Sequence, residues 1–90
     1  MIDSADENAI RTLLSDQEAT QERTASARHL ENSETAEAFS ALLNIARSPE
    51  EDADLFGAVG RSLAVVAKAL SRENDVTDLN PAARAAYEGQ

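Results

Sequence analysis

ASARHL, residues 25–30, and AVGRSL, residues 58–63, carry the same order of small residues, Arg and Leu, 33 positions apart. Ala25, Ala27, Arg28 and Leu30 match Ala58, Gly60, Arg61 and Leu63, so the two stretches are expected to occupy equivalent places in a repeat. Upstream, Ile10, Leu13 and Leu14 fall on Leu42, Ile45 and Ala46 at an offset of 32, which places one extra residue in the second intra-repeat turn, near Pro49. A repeated helix pair buries its apolar face against the next pair. The expected fold is therefore all-α: antiparallel helical hairpins stacked as a short α-solenoid of about five helices.

The intervening sequence supports helices throughout and shows no β-branched alternation. Ser4 with Glu7 has capping-box spacing, and Ala9, Ile10, Leu13 and Leu14 follow on one face, predicting a helix over about residues 5–15. Ser15 with Glu18 repeats that spacing ahead of a thin apolar face of Ala19, Ala25, Ala27 and Leu30. After a break at Asn32 and Ser33, Ala36, Phe39, Leu42, Leu43 and Ala46 recur at helical spacing. SPEE at 48–51 offers an N-cap Ser, a Pro in the first helical position and acids in the first turn, where the dipole favours them, so a helix is expected to begin there.

That fourth helix carries Leu55, Val59, Leu63, Val66 and Leu70 down one side and Phe56, Ala58, Ala64, Val65, Ala67 and Ala69 over much of the rest, the pattern of a central helix. Gly57 and Gly60 within it each cost about 1 kcal/mol against Ala, which close approach of a neighbouring helix would offset. SRENDVTD at 71–78 ends it, and Asn80-Pro81 restarts a short covering helix through Tyr87. The expected organisation is one domain over 1–90, with repeat one at about 5–32, repeat two at about 34–72 and a C-terminal capping helix at about 80–88.

Composition narrows the function. Ninety residues make one domain, and the absence of Cys removes disulfides and thiolate metal sites. Neither a signal peptide nor a bilayer-length apolar run is evident, so a cytoplasmic protein without membrane contact is expected. Seventeen acids against eight Lys and Arg give a formal charge of −9, which repels nucleic-acid phosphates. Apolar residues at 42% still supply a core, although the aromatics are only Phe39, Phe56 and Tyr87.

The stretches LLSD at 13–16, ERTASARHL at 22–30, LLNIARSPEED at 42–52 and GRSLAVV at 60–66 resemble HEAT-type repeats, in particular the short HEAT-like repeats of phycobilin lyases and many bacterial proteins. The likeness covers about residues 6–70 and carries no catalytic residue. It implies a helical scaffold whose surface binds other macromolecules. Where the family often opens the second helix with Asp and then Val-Arg, this chain has Gln21-Glu22-Arg23 and Leu55-Phe56-Gly57. Two repeats are fewer than the three or more a solenoid usually has, so flanking segments or a second molecule must cap the ends.

The candidate protein-binding residues are Glu50, Glu51, Asp52 and Asp54, the densest charge run, together with Arg28 and Arg61 at equivalent repeat positions. Arginine suits planar recognition of a carboxylate across an interface, the alternative being an internal pair with Glu31 or Asp54. Asp52-x-Asp54 lacks the Gly, third acid and terminal Glu of an EF-hand loop, and acids at a helix N-terminus account for the run. His29, the only His, reads as an exposed or half-buried helix residue and makes a poor metal site alone. No GxSxG turn or Gly-rich phosphate loop is present. No enzyme, cofactor or metal is expected.

These features point to a non-enzymatic protein-binding module, with an acidic immunity or inhibitor protein that neutralises a basic toxin or nuclease as the specific expectation. A scaffold or assembly module, self-associating as a homo-oligomer or docking on a larger complex, is the alternative. A lyase-like chromophore chaperone would need a large apolar pocket, against which three aromatics argue.

Overall fold

The computed structural model describes residues 4–49 and 51–89. These form α1 (Ser4–Leu14), α2 (Thr20–Leu30), α3 (Ala36–Ala46), α4 (Ala53–Ala69) and α5 (Pro81–Glu88), with a 3-10 turn at Glu73–Asp75 and no strand among the described residues. The all-α expectation of about five helices is met. Helices α1 and α3 begin 32 residues apart, at Ser4 and Ala36, while α2 and α4 begin 33 apart, at Thr20 and Ala53. The extra residue therefore lies between α3 and α4.

Helix α4 is central: it packs against α2, α3 and α5, while α1 packs on α2 and α3. Its buried side comprises Leu55, Phe56, Val59, Leu63 and Val66, joined by Leu13, Leu30, Phe39 and Leu42 from the other helices. Full burial of each such side chain contributes about 1.5–3 kcal/mol. The principal extents of 29 × 28 × 17 Å describe a slab about two helices thick.

Two helix starts differ from the sequence expectation. Helix α4 begins at Ala53, with Asp52 as N-cap accepting from the Asp54 N–H at 2.8 Å; Ser48 and Pro49 lie in the preceding loop. The reason is tertiary: the Asn80 side-chain amide donates to the Ser48 and Pro49 carbonyls at 3.1 and 3.2 Å, and the Asn80 N–H donates to Ala46 O at 2.8 Å. The Asn80 side-chain oxygen also caps α5 through the Ala82 N–H. Helix α2 begins at Thr20 with Ala19 as an N-cap that makes no side-chain bond, so Ser15 and Glu18 form a turn instead of a capping box.

The glycines of α4 divide. At Gly60 an added Cβ would stand 2.5 Å from Ala83 O and 2.7 Å from Ala86 Cβ, so the absence of a side chain lets α5 lie against α4. At Gly57 nothing stands within 4 Å, so the expectation of a close helix contact there is wrong. Gly57 faces the outside of the α2–α4 layer.

Beyond α4 the chain turns through Ser71, held at φ 55°. The Arg72 N–H donates to Ala67 O and the Ser71 N–H to Lys68 O, the two bonds of a Schellman termination with Ser where Gly is favoured. Arg72 then lies over the Phe39 ring at 4.6 Å and pairs with Asp75 at 3.0 Å. Arg47 reaches the same segment, donating to Thr77 O at 2.8 Å and Thr77 Oγ1 at 3.0 Å. These bonds fasten the 70–80 connection across the end of α3.

Candidate functional site

Helices α2, α4 and α5 lie side by side and leave an open groove of about 1230 Å³. Its floor is made of small residues, including Ala25, Gly57, Ala58 and Ala86, because large side chains on α4 turn toward the core. Its charged lining is Arg28 of α2 with Glu31 at that helix's C-cap, and Asp52, the N-cap of α4, with Asp54 and Arg61 within α4. Four of the six residues singled out in the sequence thus share one surface.

Arg28 and Arg61 are both exposed, and neither forms an ion pair among the described residues, so the internal pairs with Glu31 or Asp54 are not made. They stand on neighbouring helices, α2 and α4, and line the same groove. Asp52 is exposed, with its carboxylate engaged in capping α4, and Asp54 is exposed in the first helical turn. Both acids meet the positive end of the α4 dipole. Glu50 lies outside the described residues.

Glu51 has a different place. Its two carboxylate oxygens each accept from the Arg23 guanidinium at 2.9 Å, and Arg23 Nε donates to Leu13 O at 3.0 Å. The side chains are 6% and 17% exposed, so this bidentate pair is built into the molecule and Glu51 is not free to meet a partner. It joins the last turn of α1, the first turn of α2 and the approach to α4. Arg23 was not a sequence candidate, although a signal existed: it stands four residues before Ala27 and seven before Leu30, on the face those residues bury.

His29 is exposed, and its Nε2 lies 2.8 Å from Asp6 Oδ1, which links the end of α2 to the start of α1. Thr24, in the groove lining, has a buried hydroxyl with no hydrogen-bond partner among the described residues. Among the described residues no group of three His, Asp or Glu side chains is placed to hold a metal ion, and no helix is long and apolar enough to cross a membrane. A second, smaller depression of about 480 Å³ is lined by Leu14, Asp16, Arg23, Arg47 and Glu51, of which Arg23 and Glu51 pair with each other and Arg47 donates to backbone. Models of protein families, curated proteins and solved structures contain no match to this chain.

Proposed function

We propose that this chain is a non-enzymatic protein-binding module, a two-repeat HEAT-like solenoid of stacked antiparallel hairpins that uses the groove over α2, α4 and α5. The near-equal spacing of the helix starts and the packing of α1 on α3 and α2 on α4 support the solenoid reading, with α5 capping the second pair. The observation that carries the binding reading is the presence of two repeat-equivalent arginines without ion-pair partners among the described residues, in one open groove of a chain with seventeen acids. A surface arginine left unpaired amid excess carboxylates is available for bidentate recognition of a partner.

The specific role proposed is that of an acidic inhibitor of a basic toxin or nuclease. The −9 charge supports it by accelerating encounter with a cationic protein, and the exposed Asp52 and Asp54 supply the rim that such a partner would meet. The test is capture from lysate at low salt, followed by washes of rising ionic strength, with wild type beside Arg28→Glu/Arg61→Glu and Asp54→Lys. A basic protein retained by wild type, released by salt and lost from Asp54→Lys supports the inhibitor role. Capture that all three proteins share equally would move the binding surface away from the groove.

A further inference from the structure

We infer that the groove is self-complementary and that two copies of this chain pair through it across a two-fold axis. Such pairing follows from the groove's geometry and does not depend on the proposed toxin partner.

The groove has two poles. Asp52 and Asp54 occupy the N-terminal end of α4, and Arg61 follows seven residues after Asp54, two turns or about 10 Å along the helix. Arg28 stands at the equivalent position on α2. A two-fold axis across the groove lays the acidic pole of one copy on the arginine pole of the other, twice, which is the condition for an isologous interface. Asp54 and both arginines lack internal ion-pair partners among the described residues, so pairing breaks no existing salt bridge there.

Charge balance selects this occupant. The whole chain carries −9, and most approaches of two copies are repelled. In the groove, Arg28 and Arg61 share the lining with Glu31, Asp52 and Asp54, so the local balance is only about −1. A second copy on the two-fold axis sets Asp52 and Asp54 against Arg28 and Arg61 twice, with Glu31 one turn beyond Arg28. The floor also has room, since nothing stands within 4 Å of the position a Gly57 side chain would take.

Salt acts in two directions on such a dimer. Long-range repulsion between the copies weakens as the Debye length falls to about 8 Å near 0.15 M, whereas the short-range pairs are screened near 1 M, where it is about 3 Å. Association is therefore strongest at intermediate salt.

The test is sedimentation velocity of the full chain from roughly 10 µM to 1 mM at low, intermediate and high salt, a range that spans weak interfaces. Expected is a weight-average mass that rises toward two chains with concentration, most strongly at intermediate salt. Arg61→Glu and Asp54→Arg, each shown helical by circular dichroism, should lose association by about tenfold or more, since each homodimer then opposes like charges. Mixed in equal amounts, the two variants should pair again, because the acids of the Arg61→Glu copy then meet the arginines of the Asp54→Arg copy at both ends of the groove. Arg61→Gln, which only removes charge, should give an intermediate loss. A wild type that stays monomeric at 1 mM, variants that associate as wild type does, or a mixture that fails to recover would each overturn the inference. Capture of a basic protein in the salt-wash experiment would still support the inhibitor role, so the two readings fail separately.

Discussion

Helix α2 buries Ala27, Leu30 and a charged side chain, Arg23, whereas its neighbour α4 buries Leu55, Phe56, Val59, Leu63 and Val66. The two begin 33 residues apart and are held by different chemistry. Hydrocarbon holds α4 from three sides. Helix α2 has too little apolar surface for that, and a guanidinium with three donors in use ties it to Leu13 O and Glu51. Burial without direction suits a central helix; a helix at one edge of the slab gains more from bonds that have direction.

The strongest way to break this comparison is to remove Arg23. Arg23→Ala leaves Glu51 partly buried without its cation and Leu13 O without its donor, and should destabilise by about 3 kcal/mol in urea denaturation. Arg23→Met with Glu51→Leu should recover much of that loss, because no uncompensated charge remains. If Arg23→Ala moves the midpoint no more than an exposed Arg28→Ala, α2 is held by something other than this pair.

The next effect lies within α4 itself. Gly60→Ala should destabilise by about 2 kcal/mol, and Gly60→Leu by as much or more, because even a methyl group meets the α5 backbone. Gly57→Ala, with nothing to strike, should stabilise by about 0.5–1 kcal/mol through helix propensity. Opposite signs in thermal melts sharpen the contrast between the packed and open faces of one helix. Equal signs would mean that α5 does not rest on Gly60.

Ser71→Gly should stabilise by about 1 kcal/mol, since Ser holds a left-handed position at φ 55° that Gly adopts without strain. Hydrogen exchange at the end of α4 would report the gain locally. The smallest effect is alkaline. Burial, with the Glu73 carboxylate in second place, raises the Tyr87 hydroxyl above its ordinary value near 10. The folded state therefore holds that proton more tightly than the unfolded chain. The associated stability is present below about pH 10 and is lost as pH rises through the raised value. Tyr87→Phe should flatten this part of the stability profile relative to wild type, and an unchanged slope would place Tyr87 in a more open setting.

What could be read along the chain followed from local rules. The stripe of Leu55, Val59, Leu63 and Val66 specified α4, Asn80-Pro81 specified the start of α5, and the two offsets located the extra residue between α3 and α4. Ser48-Pro49 misled because a helix start reads as a local motif, yet its carbonyls are taken by Asn80, about thirty residues away in sequence. Ser15 and Glu18 misled in the same way, as good capping residues spent on a turn. In the candidate site, Arg28 and Arg61 stood out by their matching flanks and Asp52 and Asp54 by charge, but the lining of one groove by all four was not legible.

Sequence alone determined that the chain is helical and where its apolar stripes lie, because periodicity and propensity act over a few residues. Tertiary structure alone decided that Gly60 faces a helix and Gly57 faces open space, that Glu51 is consumed by Arg23, and that two arginines stand without ion pairs among the described residues above a floor of small side chains. Those outcomes depend on which faces meet across dozens of residues, a choice set by the summed packing of all the helices and not by any one of them.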